Sequence, residues 1–192
     1  MTSEKKLYII AGCNGAGKTT ASKRLLPDLI FCSEFINADE IAFKLCPENV
    51  ESVAFLAGRM MLLKIDEMLK DGLSFAIETT LSTKSYFGLI NRAQLLGYHV
   101  ILIFFWLNSF ELAIERVYSR VLHGGHFIED EVVRRRYKRG ISNLIKIYIS
   151  LIDELLIFDN SESSLELIAE KNNRFQLNIL NYHKWNKLKK SI

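Results

Sequence analysis

The sequence predicts an α/β protein with a doubly wound, mainly parallel sheet of five to six strands. Short apolar segments alternate with helix-length segments along most of the 192 residues, and this alternation is typical of parallel sheets joined by crossover helices. The first apolar segment, residues 7–11, also runs directly into a glycine-rich stretch of the pattern GxxxxGK[ST]. Together the two features indicate a P-loop nucleotide-binding fold.

The stretch after the first predicted strand contains every fixed position of the P-loop pattern. Its residues are Gly12, Cys13, Asn14, Gly15, Ala16, Gly17, Lys18, Thr19 and Thr20. The glycines let successive backbone N–H groups point into one concavity, and the helix that starts near Gly17 directs its positive end to the same place. Lys18 adds a cation and the Thr19 hydroxyl is suited to hold Mg²⁺. We therefore expect the phosphates of a nucleotide and Mg²⁺ at this loop.

Composition sets limits on domain number, partners and compartment. A chain of this length with 49% apolar residues can bury one core, so we expect a single domain over residues 1–192. The net charge of +3 is mild and gives no reason to expect nucleic acid or membrane as a partner. The longest apolar run, 100–107, is too short to cross a bilayer.

The cysteines favour the cytoplasm. Cys13, Cys32 and Cys46 form no CxxC pair, and no secretory segment precedes them, which is typical of reduced thiols in the cytoplasm. Cys13 lies inside the P-loop and becomes a candidate reactive thiol if the helix end lowers its pKa.

Each predicted element has a local reason. The predicted strands are 7–11, 34–37, 73–77, 99–107 and 155–158, with an edge strand at 165–169. The predicted helices are 19–26, 48–70, 82–96, 110–122 and 129–150, and a basic helix at 182–190 is favoured within an otherwise unassigned tail at 171–192. Pro27 ends the first helix, glycines 72 and 97 end the second and third, and Ser82 and Ser109 are the expected caps of the third and fourth.

One long helix needs a buried face. Within 48–70 the apolar residues at three-to-four spacing are Val53, Leu56, Met60, Leu63 and Met68. This periodicity predicts that they face the core.

Two acids follow predicted strands and should share the sheet edge with the P-loop. Asp39 comes just after strand 34–37, and Glu78 follows strand 73–77 together with Thr79 and Thr80. The carboxyl ends of parallel strands meet at one edge, so Asp39 is placed to accept the proton of an acceptor hydroxyl, or else it caps the next helix. Glu78 can bind the acceptor, act in the outer sphere of the metal, or only end its strand.

Arginines surround a break in the chain at 123–126. Arg116 and Arg120 lie one turn apart on the helix before it, and Arg134 and Arg136 lie on the helix after it. Guanidinium groups bind phosphate oxygens in pairs, so residues 120–136 are interpreted as an arginine-bearing lid over the nucleotide. The alternative is a solvated face paired with the acids at 129–131.

Two other functions of this region are disfavoured. His123 and His126 flank two glycines without a third ligand nearby, which makes a poor metal site. The basic cluster lacks interleaved aromatic residues, so it is a poor footprint for nucleic acid.

Several blocks in order resemble the zeta-toxin family of P-loop kinases, in particular its compact branch of predicted ABC-type ATPases. The resemblance covers residues 7–169, and its marks after the P-loop are 35–39, 74–82, 97–100, 116–117, 120–121, 124–126, 134–137 and 158–161. Members studied as toxins phosphorylate the 3′-hydroxyl of UDP-N-acetylglucosamine with ATP and Mg²⁺. Cys13, where a smaller residue or proline is commoner, and the shorter chain are the departures.

The resemblance implies roles for particular residues. Asp39 matches the family's base, Lys18 its phosphate lysine, and Arg120 and Arg134 its phosphate-clamping arginines. Arg116 and Asn160 are expected at the nucleotide, and Glu78, Thr79 and Thr80 at the acceptor. A nucleotide sugar is then the expected substrate, and an antitoxin protein is a possible partner.

Two other functions remain open from the residues alone. One is an ATPase or switch without an acceptor, in which Asp39 has no special role. The other is a nucleotide or polynucleotide kinase, for which the arginine-rich segment would contact a phosphate backbone and binding would fall steeply with salt.

Overall fold

The computed structural model describes residues 4–22, 32, 34–125, 127–172 and 176–192. Its strands are β1 (Lys6–Ala11), β2 (Glu34–Ile36), β3 (Phe75–Thr79), β4 (His99–Trp106), β5 (Glu154–Asp159), β6 (Glu166–Lys171) and β7 (Asn178–Ile179). Its helices are α1 (described for 18–22), α2 (Ala38–Leu45), α3 (Ala54–Asp71), α4 (Tyr86–Leu95), α5 (Phe110–Leu122), α6 (Asp130–Asn143), α7 (Ile149–Leu151) and α8 (Tyr182–Lys190). A 3₁₀ turn, Val50–Val53, precedes α3, and a π-helical segment, Leu144–Tyr148, joins α6 to α7.

The strands form one sheet in the order β2-β3-β1-β4-β5-β6-β7. The first five are parallel, while β6 and β7 are antiparallel additions. The predicted mainly parallel α/β sheet is therefore confirmed. The expected edge strand at 165–169 is β6, but β7 covers it, so the described sheet has seven strands instead of five to six.

The register places the ends of four parallel strands, β1, β3, β4 and β5, at one edge of the sheet. Ala11 at the end of β1 pairs with Thr79 of β3 and Phe104 of β4, and Trp106 pairs with Asp159 of β5. All of β4 except His99 is buried, as expected for a strand covered on both faces. The P-loop therefore begins beside the ends of β3, β4 and β5.

The second half of the chain follows the predicted helices closely. Helix α5 matches 110–122, and its N-cap Ser109 accepts a hydrogen bond from Leu112 N at 3.2 Å. The predicted helix 129–150 is α6 with its π segment and α7, and the favoured helix 182–190 is α8. Of the predicted first helix, 23–26 and Pro27 lie outside the described residues.

The predicted buried face of α3 is wrong except at Met68. The buried side chains are Ala57, Met61, Ile65, Met68 and Leu69, whereas Leu56, Met60 and Leu63 are 49%, 40% and 63% exposed. Both sets repeat at three-to-four spacing, so periodicity alone could not choose between them. The helix also starts later than predicted, at Ala54, after the 3₁₀ turn.

The predicted cap at Ser82 is also wrong, because α4 begins only at Tyr86. The Ser82 hydroxyl bonds to the Thr80 hydroxyl at 2.9 Å instead. Leu81 between them is fully buried with a left-handed φ of 57°, which interrupts any helix.

Helix α6 holds the Thr80–Leu81 turn in place. Asn143 Nδ2 donates to Leu81 O at 2.9 Å. Gly140, one turn earlier, packs so closely that a Cβ there would lie 2.7 Å from Thr80 O. The absence of a side chain at Gly140 therefore fixes how near α6 lies to the end of β3.

Replacement of this glycine should destabilise the protein. We expect Gly140→Ala to lower the free energy of unfolding by about 1–3 kcal/mol, because the new methyl overlaps a backbone carbonyl. Gly88→Ala is the matched control: Gly88 lies in helix α4 with no atom near its Cβ position, so alanine should raise stability by up to about 1 kcal/mol. Denaturant unfolding of both variants measures this, and equal effects would contradict it.

Candidate active site

The P-loop packs directly against the ends of β4 and β5. A Cβ on Gly12, whose φ is 147°, would lie 2.4 Å from Phe105 O. A Cβ on Gly17, whose φ is 77°, would lie 2.5 Å from Asn160 Nδ2. Both backbone conformations belong to glycine, so the loop adopts its curled path only because these positions lack side chains.

Lys18, Thr19 and Glu78 meet at the base of the loop. Lys18 Nζ donates to Cys13 O at 3.0 Å and lies 3.6 Å from Glu78 Oε1. Thr19 Oγ1 donates to Glu78 Oε2 at 3.0 Å. The side chains of Lys18 and Glu78 are only 8% and 10% exposed. The hydrogen bond places Glu78 beside the Thr19 hydroxyl, the group that holds the metal in P-loop proteins.

Asp39 lies in the first turn of α2 and lines the same cavity as Lys18 and Glu78. The N-cap of α2 is Asn37, whose Oδ1 accepts from Asp39 N at 2.8 Å, so the alternative interpretation of Asp39 as the cap is wrong. The carboxylate lines a cavity of about 630 Å³ together with Lys18 and Glu78. The described lining is Asn14, Gly15, Gly17, Lys18, Thr19, Thr20, Asn37, Asp39, Glu40, Phe43, Lys44, Val50, Glu78, Arg116, Arg120 and Gly125.

Asp39 also lines a smaller cavity of about 160 Å³, together with Lys18 and Glu78. Thr79, Thr80 and Tyr86 line it, as does Arg136. The two threonines expected at the acceptor therefore lie beside Asp39. Burial raises the pKa of Tyr86, and a hydrogen bond with Thr79 opposes that shift.

Arg136 is the arginine that the predicted catalytic set omitted. Its Nη1 donates to Asn14 Oδ1 at 3.2 Å. Burial lowers the pKa of Arg136, and the nearby Asp39 carboxylate opposes this shift. A signal was present in the sequence, because Arg136 lies on the same face of α6 as the buried residues Val133, Tyr137 and Gly140.

The remaining arginines divide into two kinds. Arg116 and Arg120 both line the larger cavity, and Gly125 packs against the Arg120 side chain. Arg134 instead lies with its guanidinium 4.3 Å from the centre of the Phe110 ring, and it is absent from the described lining of both cavities. The structure therefore places Arg136, not Arg134, beside the predicted base.

Asn160 connects the P-loop to the end of β5. Its Nδ2 donates to Ala16 O at 2.8 Å, and its carbonyl accepts from Arg116 Nη1 at 2.8 Å. Arg116 Nη2 also donates to Ser161 O at 3.0 Å. Arg116 and Asn160 are thus held together at the P-loop, and their binding of the nucleotide stays a prediction.

The environment of Cys13 disfavours an ionised thiol. Its side chain is buried, and burial raises its pKa to about 11 despite the nearby charge of Lys18. The condition for a reactive Cys13, a pKa lowered by the helix end, is therefore not met.

A protein-family model described as Zeta toxin matches residues 1–172. The chain belongs to the zeta toxin family. An uncharacterized protein of Haemophilus influenzae (strain ATCC 51907 / DSM 11121 / KW20 / Rd) is 31% identical over 134 residues, which are 70% of this chain and 94% of that protein. The family expected from the sequence blocks is confirmed.

Two solved structures share the fold. A chain of the AvrRxo1-ORF1:-ORF2 crystal structure with ATP has a TM-score of 0.75 at 17% identity and matches 97% of this zeta-family chain. This chain spans 64% of the length of that one. A chain of the Streptococcus pneumoniae PezAT toxin-antitoxin system has a TM-score of 0.64 at 14% identity, with 100% of this chain and 87% of that chain covered.

The described residues include no helix that is long and apolar enough to cross a membrane.

The buried state of Cys13 can be tested by alkylation. With a pKa of about 11, only about one thiol in a thousand is ionised at pH 8, and burial blocks access as well. We expect iodoacetamide to label the partly exposed Cys46 of the native protein well before Cys13. Mass spectrometry after timed quenching measures this, with denatured protein as the control for intrinsic reactivity. Equal labelling rates in the native protein would contradict the assignment.

Proposed function

We propose that this zeta-family protein is an ATP- and Mg²⁺-dependent kinase that phosphorylates a hydroxyl of a nucleotide sugar such as UDP-N-acetylglucosamine. The observation that supports it most is one shared cavity. Asp39 lines that cavity together with the P-loop residues Lys18 and Thr19, and phosphoryl transfer requires groups of these kinds.

The residues present fit a nucleotide with its metal. The P-loop backbone is curled by Gly12 and Gly17, and its N–H groups with Lys18 would hold the phosphates. The Thr19 hydroxyl would hold Mg²⁺, with Glu78 behind it as an outer-sphere acceptor. When bound, Mg²⁺ neutralises charge on the phosphate oxygens. This position favours the metal-side role of Glu78 over the acceptor-binding role.

The chain's own residues then have defined tasks. Asp39 orients the acceptor hydroxyl and takes its proton as the acceptor oxygen bonds to the γ-phosphorus. Lys18 stabilises the charge that develops on the bridging oxygen of the departing ADP. Arg120 in the larger cavity and Arg136 beside Asp39 supply positive charge around the transferred group. Arg134 could join them only by leaving Phe110, so Arg136 is the better candidate.

The size of the cleft supports a large acceptor. The main cavity shares Phe43, Val50 and Gly125 with a further cavity of about 400 Å³. Phe43 is 57% exposed, and an exposed aromatic ring suits stacking by a flat base. The further cavity also has Phe127 in its lining, beside polar residues that include Glu48 and Asn49. This mixture of aromatic and polar groups could accommodate a sugar joined to a nucleotide base.

An antitoxin is the proposed protein partner. The matching PezAT structure is described as a toxin-antitoxin system, and the family model is that of a toxin. The expected lid at residues 120–136 and the cytoplasmic location remain predictions.

The decisive experiment replaces the proposed base. We expect Asp39→Asn to reduce phosphoryl transfer by at least about 100-fold, because the amide cannot accept the hydroxyl proton, while ATP affinity stays nearly unchanged. Labelled ATP and Mg²⁺ are incubated with a panel of nucleotide sugars, nucleosides and short oligonucleotides. Asp71→Asn is the matched control, since Asp71 ends α3 at the opposite edge of the sheet.

Three results would contradict the proposal. Phosphoryl transfer that survives in Asp39→Asn would show that Asp39 is not the base. Label accepted only by an oligonucleotide makes the protein a polynucleotide kinase, and ATP turnover indifferent to every acceptor makes it an ATPase or switch.

The metal-side role of Glu78 has its own test. In Glu78→Gln the Thr19 hydroxyl loses a charged acceptor and Lys18 loses its ionic partner. We expect the Mg²⁺ concentration for half-maximal transfer to rise about tenfold, as is usual when an outer-sphere ligand is neutralised. The control is Glu115→Gln, an exposed acid on α5. A changed KM for the acceptor at an unchanged Mg²⁺ requirement would return Glu78 to the acceptor site.

A further inference from the structure

The C-terminal helix α8 is joined to the end of β5 by a charged network. Lys184 Nζ lies 2.6 Å from Asp159 Oδ2 and 2.7 Å from Glu166 Oε2. Asn181, the N-cap of α8, donates from Nδ2 to Glu166 Oε1 at 2.7 Å. Two acids from neighbouring antiparallel strands therefore meet one lysine of the helix. This helix lies beyond residues 1–172, the part that the family model matches.

Asp159 connects this charged network to Ser161 and, through Ser161, to Asn108. It is 3% exposed, and its Oδ1 accepts from Ser161 N at 2.9 Å and from the Ser161 hydroxyl. Ser161 Oγ in turn accepts from Asn108 N at 2.8 Å. Burial alone would raise the pKa of Asp159, but its hydrogen bonds with Lys184 and Ser161 bring the pKa below its ordinary value. The carboxylate is therefore an ionised group that organises the turn.

Asn160 lies between these two anchored residues and contacts the P-loop. Its N–H donates to Trp106 O at 2.9 Å, and its side chain donates to Ala16 O at 2.8 Å. The contact leaves no room for a side chain on Gly17, whose Cβ would lie 2.5 Å from Asn160 Nδ2. A shift of the turn at residues 159–161 would therefore move the P-loop directly.

We infer that Lys184 is a positioning residue for nucleotide binding, which acts through Asp159 and Asn160 on the P-loop. The inference rests on the proposed binding of ATP at that loop. The inference extends the proposed nucleotide site to the C-terminal helix. Lys184 contacts both Asp159 and Glu166, and this gives it a role that the other basic residues of α8 do not share.

The loss of Lys184 leaves Asp159 as a buried carboxylate without its cation. Such a group is costly, and the turn relieves the cost by moving Asp159 toward water. Asn160 then moves with it, because the two residues are adjacent. The predicted effect is weaker ATP binding, with little effect on the chemical step.

Direct binding of a fluorescent ATP analogue in the presence of Mg²⁺ tests this inference. We expect Lys184→Met to raise the Kd about fivefold, within the range seen for residues that act on a site through others. Lys184→Arg, which keeps the charge, should restore most of the affinity. Lys187→Met is the matched control, because Lys187 is an exposed lysine on the next turn of the same helix.

A double-mutant cycle separates positioning from general stabilisation. In an Asn160→Ala background the added Lys184→Met should raise the Kd by clearly less than it does alone, since the contact of the Asn160 side chain with Ala16 O is already cut. Additive losses of affinity would overturn the inference, as would an unchanged Kd in Lys184→Met alone. If Lys184→Met does not fold, Ser161→Ala interrupts the same network at its next link and carries the same expectations.

The assay needs no acceptor, so its outcome is separate from that of the kinase proposal. If the wild-type chain binds the ATP analogue but phosphorylates nothing in the panel, the kinase proposal is overturned. The inferred positioning role of Lys184 then still stands. A wild-type chain that binds no ATP analogue would overturn both.

Discussion

The parallel pairing of β1 with β3 and β4 is the constraint on which the site depends. Because Ala11 pairs with Thr79 and Phe104, the P-loop leaves the sheet beside the ends of both neighbours. Glu78 on β3 then meets Lys18 and Thr19 without a long side-chain reach. A one-residue slip of β3 would turn Glu78 to the other face of the sheet. The register therefore sets the chemistry of the site as well as the packing of the core.

Much of the fold was predictable because its signals are local. Buried parallel strands such as β4 are continuous apolar runs, and the P-loop pattern is contiguous in sequence. Errors arose where two local patterns competed. Helix α3 is apolar on two faces, and its periodicity does not show which face is buried. The predicted residues Leu56, Met60 and Leu63 lie on the exposed face. The start of α4 was misplaced because the left-handed turn at Leu81 is stabilised by Asn143 from another helix.

The site was predictable in part for the same reason. Asp39 and Glu78 follow strands, so topology alone places them at the correct edge. Which arginine reaches Asp39 depends on how α6 rotates against the sheet, and that rotation is fixed by the close packing of Gly140 on Thr80. The Lys184–Asp159 contact was equally hidden, since it joins a buried strand end to a helix in a stretch that the sequence left largely unassigned.

The charges of the cleft explain why its groups can stay ordered before a ligand arrives. Lys18 is nearly buried but has Glu78 beside it, and Arg136 is partly buried with Asp39 close by. Each of these cations thus has an acid near it, which offsets the cost of removing its charge from water. Arg116 and Arg120 add further positive charge to the same cavity. The described lining carries four basic and three acidic residues, and a surface with such an excess of positive charge attracts a polyphosphate. Asp39 and Glu78, the two acids that the proposed kinase uses, each lie near a different cation, so neither competes with the other for the same partner.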